Sequence, residues 1–250
     1  AIASPSRSGS VASIIFDDCN LENTVKGVVR SGFLNQGQVC LCGSRILVER
    51  NIYESFRDAL VVEARKMRPG DPAHPDTKMG ALIHLGHREK VESYVALAKE
   101  EGGTILCGGT RPEFPPPLDR GAFYQPTLVD GLAVDSRTAT EEIFGPVATL
   151  HPFDSEEEAV EMANSVRYGL AGSVWTRDLS RAHRVAEAMD SGMVWVNTWL
   201  LRDLRVPFGG MKDSGYGKEA GIESIKDYTR VKTTWYYTSD KPTLDPFSMR

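Results

Sequence analysis

The sequence predicts an α/β fold, a mostly parallel sheet with flanking helices. Two observations support this prediction. Short β-branched runs alternate with amphipathic segments along the 250 residues, and parallel strands need crossover connections, which are usually helices. In addition, 41% hydrophobic and 25% charged residues form an ordinary globular composition, with enough apolar side chains for a sizeable core.

The predicted elements follow from periodicity. Runs rich in β-branched residues predict strands at 13–16, 45–49, 127–132, 147–153, 172–176 and 192–197. Helical patterns occupy 22–34, 84–101, 155–167 and 179–190. Ser155 and Glu158 have the spacing of a capping box at the start of the third helix. The proline-rich stretches 67–76 and 108–121 predict surface loops, because proline lacks a backbone donor.

Charge and composition narrow the class of partner. The formal net charge of −5 argues against a nucleic-acid or anionic-membrane surface. No apolar run has the length needed to span a bilayer, and the N-terminal stretch lacks the apolar core of a signal peptide. Four cysteines are too few for a disulfide framework. We therefore expect a cytoplasmic protein without nucleic-acid or membrane partners.

Two of the cysteines lie one residue apart in "NQGQVCLCGSR" (residues 35–45). A zinc site would need four ligands, and the only other candidate pair is His84 and His87, so we predict no metal. A disulfide between Cys40 and Cys42 would close a small, strained ring. Two readings stay open: two small buried side chains, the usual fate of cysteine, or one nucleophilic thiol on a turn. A nucleophile needs partial exposure and neighbours that lower its pKa.

Two further motifs could serve function or fold. "TEEIFGPV" (residues 140–147) is either a capped turn with a core phenylalanine or a site with two carboxylates. "PFGGMKDSGYGKEAG" (residues 207–221) fails as a phosphate-binding loop because Tyr216 occupies the position of the lysine. Its glycines would still let the backbone pass close to another group.

These three motifs, in this order, resemble the C-terminal half of the NAD(P)-dependent aldehyde dehydrogenase superfamily. The resemblance covers residues 13–237 and includes the linking stretches "FYQPTLVDGL" and "YTRVKTTW". It implies a catalytic domain at 13–227, preceded by a non-family segment at 1–12. Residues 228–250 would form an oligomerisation strand and tail.

The resemblance also implies site residues. Cys40 matches the nucleophile, and Cys42 its small companion. Glu142 matches the acid that holds the nicotinamide ribose, and Phe144 the aromatic that flanks the nicotinamide, so NAD or NADP is the implied cofactor. In the implied chemistry the thiolate adds to a small-molecule aldehyde, hydride passes to the cofactor, and water hydrolyses the thioester. The backbone N–H of Cys40 would serve the oxyanion hole.

Within the family, "NTWLLRDLRVPFGG" (residues 197–210) most resembles the 2-hydroxymuconate and 2-aminomuconate semialdehyde dehydrogenases. There an arginine in this stretch faces a substrate carboxylate, and Arg202 is the matching position. A guanidinium suits that role because its fork meets a carboxylate bidentately. The alternative is a surface ion pair with Asp203 or another neighbour.

The chain departs from the family pattern at its start. The family's Rossmann-like cofactor domain is missing, so we expect most of the NAD to be bound outside this chain. The motif that carries the water-activating glutamate should fall on residues 6–10, which read "SRSGS". Losing such a base typically costs about 10²- to 10⁴-fold in rate. We therefore expect the chain alone to be inactive or impaired.

The implied partners are a second copy of the chain and a separate N-terminal half. The run "YTRVKTTWYYT" (residues 228–238) has no nearby hairpin partner, and such an edge can pair with another chain to give a homodimer or homotetramer. The alternative is that residues 228–238 fold back on their own domain as an edge strand. Two rival functions are a non-catalytic assembly module and a cofactor-independent thiol esterase, in which Cys40 would acylate without NAD.

Overall fold

The computed structural model describes residues 11–215, 217–241 and 247. These form a seven-stranded sheet between helices, with a separate two-stranded ribbon. The strands are β1 Ala12–Ile15, β2 Arg45–Glu49, β3 Thr104–Cys107, β4 Thr127–Asp130, β5 Val147–Phe153, β6 Tyr168–Gly169, β7 Ala171–Trp175, β8 Met193–Val196 and β9 Met211–Lys212. The helices are α1 Leu21–Phe33, α2 Tyr53–Ala64, α3 Leu85–Glu100, α4 Arg137–Thr140, α5 Glu156–Asn164, α6 Leu179–Ala188 and α7 Glu223–Tyr228.

The large sheet has the strand order β3-β4-β5-β2-β1-β7-β8. Every neighbouring pair is parallel except β3 and β4. In the small ribbon β6 and β9 are antiparallel. The predicted mostly parallel α/β fold is confirmed.

Both faces of the central strands are buried, because successive side chains of a strand point to opposite faces. Ile15 and Ile46 pack in a cluster with Val28 of α1 and Phe56 of α2. Their neighbours Ile14 and Leu47 belong to a second cluster, on α5 and α6. Strands covered on both faces read as continuous apolar runs, which is why β1 and β2 were predictable.

The strands and helices predicted from periodicity are all found, with ends shifted by up to three residues. The prediction omitted α2, β3, α4, α7 and the β6–β9 ribbon. The two proline-rich stretches hold only a single bridge and a 3₁₀ turn. The capping box is half correct: Ser155 Oγ accepts from the Glu158 amide, whereas the Glu158 carboxylate accepts from the Asp154 amide instead of that of Ser155.

The aromatic run after α7 forms no strand among the described residues. Val231 is 100% exposed and Trp235 is 90% exposed. The alternative of an edge strand folded back on its own domain is therefore wrong for residues 229–238. Most of the predicted N-terminal segment, including the positions at 6–10, lies outside the described residues, as do 242–246 and 248–250 of the tail.

None of the helices that the structure describes is long and apolar enough to cross a membrane.

Candidate active site

Cys40 lies on a sharp turn between α1 and β2. Three successive residues, Asn35, Gln36 and Gly37, have left-handed φ values of 50°, 59° and 69°. This conformation is costly for residues other than glycine, so the surrounding structure must enforce it. The turn leaves the Cys40 side chain half-buried, whereas Cys42 is buried. The two thiols therefore differ in solvent access.

The Cys40 turn meets the loop that carries Glu142 and Phe144. The turn precedes β2 and the loop precedes β5, and because these strands are parallel neighbours, both segments lie at the same edge of the sheet. Their backbones touch: a Cβ added at Gly37 would lie 2.1 Å from the carbonyl oxygen of Gly145. Only glycine fits there.

The surroundings of Cys40 raise the pKa of its thiol. Burial is the largest cause, and the negative charge of Glu142 adds to it. A hydrogen bond from the residue's own backbone N–H and the positive charge of Arg202 act in the opposite direction. The partial exposure and the pKa-lowering neighbours that a nucleophilic thiol requires are both present, but burial outweighs those neighbours and the pKa of Cys40 is raised. Burial raises the pKa of Cys42 further, to about 12.

Helix α3 holds the loop at 141–145. His87 Nε2 lies 2.6 Å from the carbonyl oxygen of Phe144, and Lys90 Nζ donates to that of Glu142 at 2.9 Å. Tyr94 donates to the Glu141 carboxylate at 2.7 Å. From the sequence, His87 was considered only as a metal ligand, and neither Lys90 nor Tyr94 was predicted to contact this loop. Their spacing of three and four residues places them on one helix face, and this was the signal available.

Glu142 and Phe144 line one narrow cleft together with Gly37, Val39, Cys42 and Ser44. Cys40 does not line this cleft. A half-buried carboxylate can accept hydrogen bonds from the hydroxyls of a ribose, and an aromatic ring offers a flat face to a planar base. The residue types present therefore fit the nicotinamide end of NAD or NADP.

Arg202 lines a second, wider cleft with Trp195, Leu201 and Phe208. Its guanidinium carbon lies 4.7 Å from the centre of the Phe208 ring, a cation–π geometry. Asp203 pairs with Arg205, and among the described residues no carboxylate pairs with Arg202. The alternative of an ion pair between Arg202 and Asp203 is not found.

The segment with Arg202 is tied to the Cys40 turn. Asn197 and Leu200 both have positive φ values, 54° and 63°, and reverse the chain after β8. Trp199 then donates from Nε1 to the carbonyl oxygen of Leu41 at 2.9 Å. This bond joins the segment that carries Arg202 to the residue that follows Cys40, a contact between positions 158 residues apart.

No group of three or more histidine, cysteine, aspartate or glutamate side chains is placed to hold a metal ion within the described ranges. His84 instead caps α3, accepting from the His87 amide at 3.0 Å.

The profile of the aldehyde dehydrogenase family matches residues 6–234. The chain is 50% identical over 227 residues to the 2-aminomuconic semialdehyde dehydrogenase of Mus musculus, covering 90% of this chain and 47% of that protein. It is 49% identical over 224 residues to the 2-hydroxymuconic semialdehyde dehydrogenase of Pseudomonas putida, covering 90% and 46%.

A solved structure gives the same result. The chain superimposes on betaine aldehyde dehydrogenase from Staphylococcus aureus in complex with NAD⁺ with a TM-score of 0.87 at 41% identity, over 89% of this chain and 44% of that one. The chain belongs to the aldehyde dehydrogenase family. It spans about half the length of the curated relatives that it matches.

Proposed function

We propose that this chain carries the catalytic cysteine of an NAD(P)-dependent aldehyde dehydrogenase and takes part in oxidising an aldehyde to a carboxylic acid. One observation carries the proposal. Cys40, the accessible thiol of the C-x-C pair, lies on a turn whose Gly37 backbone contacts the loop of Glu142 and Phe144. A candidate nucleophile and candidate cofactor contacts thus adjoin, which hydride transfer requires.

The chemistry at Cys40 proceeds in two stages. The sulfur forms a bond to the aldehyde carbon while the C=O π pair moves to oxygen, and the backbone N–H of Cys40 donates to this oxyanion. Because burial raises the pKa of the thiol, a base has to take its proton as the bond forms. The nicotinamide cofactor, when bound, supplies the acceptor for the hydride that leaves the carbon. Water then displaces the sulfur of the thioester, releasing the acid and restoring the thiol.

Glu142 and Phe144 serve as the cofactor contacts in this proposal. The carboxylate of Glu142 accepts from the nicotinamide ribose, and the Phe144 ring flanks the nicotinamide. The negative charge of Glu142 raises the pKa of Cys40, so neutralising that charge makes the thiol easier to ionise. The remainder of the cofactor would bind outside this chain.

A muconic semialdehyde is the proposed substrate, with Arg202 as the group that binds its carboxylate. The names of the two semialdehyde dehydrogenase relatives support this. Arg202 also lines a cleft, its positive charge acts on Cys40, and its segment is joined to the Cys40 turn by Trp199. The Phe208 ring orients the guanidinium from one side. A bidentate carboxylate binds the N–H groups in the plane of the guanidinium, which a ring over its face leaves accessible.

Acylation by p-nitrophenyl acetate tests the role of Cys40 in the chain as it exists. Cys40→Ser should abolish the burst of nitrophenol, while Cys42→Ser should keep it. An unchanged burst in Cys40→Ser would overturn the assignment. Turnover without NAD would favour the thiol-esterase alternative. NADH formation when an NAD-binding polypeptide of the family is added would favour the dehydrogenase.

The substrate proposal is tested by replacing Arg202 with Ala in a preparation that oxidises aldehydes. Loss of a charge-assisted hydrogen bond of about 1.5–3 kcal/mol should raise KM roughly 10- to 150-fold for a dicarboxylic semialdehyde. A neutral aldehyde such as hexanal should be nearly unaffected. Arg205→Ala is the matched control, because Arg205 is engaged by Asp203. Equal losses on both aldehydes would mean that Arg202 supports the fold.

A further inference from the structure

We propose that His87 and Lys90 of α3 are positioning residues, which fix Glu142 and Phe144 through the backbone carbonyls of those two residues. The inference rests on the proposed function of Glu142 and Phe144 as cofactor contacts. In this role α3 is a platform, meaning a rigid support, for the loop at 141–145, which we call the cofactor loop.

One face of α3 contacts four of the five residues of the loop at 141–145. His87 Nε2 lies 2.6 Å from the Phe144 oxygen, and Lys90 Nζ lies 2.9 Å from the Glu142 oxygen. Val91, between these two contacts and Tyr94, packs so closely on Gly145 that a Cβ there would lie 2.5 Å from a Val91 methyl carbon. Polar contacts at 87, 90 and 94 and an apolar contact at 91 follow the spacing of a single helix face.

The loop needs such support. Phe144 has a left-handed φ of 59°, a conformation that is disfavoured for an aromatic residue and persists only where its surroundings impose it. Residues 141–145 belong to neither helix nor strand, so no regular ladder satisfies the carbonyls of Glu142 and Phe144. Side chains of α3 satisfy them instead.

The hydrogen-bond direction at His87 is determined by chemistry. A carbonyl oxygen can only accept, so Nε2 of His87 must carry the hydrogen. The His87 ring also lies edge-on to the Phe144 ring, with 6.3 Å between the ring centres. His87 therefore holds Phe144 both by its backbone and by its ring, and replacing the imidazole by a phenyl group removes the backbone contact alone.

Site-specific proteolysis of the native chain tests the platform. Endoproteinase Glu-C cleaving after Glu142, and chymotrypsin cleaving after Phe144, report local opening of the loop. Loss of one hydrogen bond in His87→Phe or Lys90→Met should raise these cleavage rates roughly 2- to 10-fold. His87→Gln, which keeps a side-chain N–H donor, should restore most of the protection. Cleavage after Glu113, in the proline-rich loop, is the internal reference.

Two matched controls separate positioning from general loss of stability. Lys99→Met changes an exposed lysine in the last turn of the same helix, and His183→Phe changes an exposed histidine on α6. Both should cleave at the wild-type rate. The inference is overturned if His87→Phe and Lys90→Met also cleave at that rate, or if the Glu113 site accelerates equally. If His87→Phe fails to fold, the Lys90→Met variant provides the test. Lys90 is exposed, so its replacement should not prevent folding.

A kinetic readout separates this inference from the proposed function. In a preparation that oxidises aldehydes, both variants should raise KM for NAD more than they lower kcat. Accelerated cleavage with an unchanged KM for NAD would leave the platform intact and refute the cofactor role of Glu142 and Phe144. Unchanged cleavage would refute the platform whatever the kinetics show.

Discussion

At the scale of single residues, the site depends on how two cysteines in one short motif come to differ. Cys40 is half-buried on a left-handed turn, and Cys42 enters the interior two residues later. Both thiols have raised pKa values, and burial is the main cause in each case. Cys40 is the more accessible thiol and the one whose pKa is raised less, but its pKa is still raised, so its reactivity at neutral pH depends on a base that takes the proton.

Alkylation with limiting iodoacetamide should label Cys40 before Cys42, Cys19 or Cys107, because the other three are buried. Only the thiolate reacts, so the rate at Cys40 should rise about tenfold per pH unit between pH 7 and 9, below its raised pKa. Mass spectrometry of peptides after short labelling measures both effects. Labelling of Cys42 first would show that the roles of the two thiols are reversed.

Glu142→Gln provides the electrostatic control for this experiment. Removing its negative charge lowers the pKa of Cys40, so alkylation at pH 8 should be faster than in the wild type. Arg202→Met removes a positive charge and should make it slower. Changes of the same sign in both variants would contradict the placement of these charges around the thiol.

At the scale of elements, the site is built from segments that precede neighbouring strands. The turn before β2 and the loop before β5 lie at the same edge of the sheet. Helix α3 also contacts the loop, through His87. Gly37 is the point of closest approach between the turn and the loop. The functional loops are thus positioned by rigid neighbours, which is the usual arrangement for catalytic segments.

Gly37→Ala should be strongly destabilising for two reasons. A left-handed φ costs a residue with a Cβ about 1–2 kcal/mol, and the new methyl group would overlap the Gly145 carbonyl. We expect the free energy of unfolding to fall by about 2–4 kcal/mol in urea titrations. Gly102→Ala is the matched control, with a φ of +87° and no atom within 4 Å of the added Cβ. Equal losses in the two variants would mean that the contact with Gly145 costs nothing.

Buried His151 of β5 should make stability depend on pH. Burial, with a smaller contribution from the charge of Arg45, lowers the pKa of His151 to about 4. In the unfolded chain His151 is protonated below about pH 6.5, whereas in the native chain it stays neutral down to about pH 4. The free energy of unfolding therefore decreases as the pH falls from about 6.5 to about 4.

The loss should reach about 3 kcal/mol, given about 1.4 kcal/mol for each unit of pKa difference. His151→Gln should have a flatter profile across the same range, whereas other acid-sensitive groups act equally in both proteins. Urea titrations of the two proteins at several pH values measure the difference. Parallel profiles would show that His151 is protonated without cost.

At the scale of the whole molecule, the surface after α7 is unusually apolar. Tyr228, Val231, Trp235 and Tyr236 are each at least 86% exposed. Several large, exposed apolar side chains in one short segment are typical of an interaction site. We propose that residues 228–238 pair with a second copy to give a homodimer or homotetramer, and such an interface would also serve the rival function of an assembly module.

Removing residues 228–250 should lower the mass measured by light scattering from that of an oligomer to that of a monomer. Replacing Val231 and Trp235 by Ser should weaken association without shortening the chain, because burial of these two side chains supplies the driving force. Leu179→Ser, an exposed leucine on α6, is the control. An unchanged mass after truncation would place the interface elsewhere.

The sequence by itself determined the fold class, most central elements and the candidate site residues. The apolar runs of β1, β2 and β5 and the amphipathic helices are local patterns, and burial on both faces of a sheet requires those patterns. Cys40, Glu142, Phe144 and Arg202 were predicted because they lie in motifs that resemble those of the aldehyde dehydrogenase family, and their roles remain predictions.

Only the tertiary structure decided how these residues work together. It brought Gly37 against Gly145, placed α3 against the loop at 141–145 and joined Trp199 to Leu41. The hydrogen bond from His87 to Phe144 links positions 57 residues apart, and that from Trp199 to Leu41 links positions 158 residues apart. It also showed that burial raises the pKa of Cys40. A pKa and a backbone contact both depend on atoms brought together from distant parts of the chain, and local patterning carries no record of them.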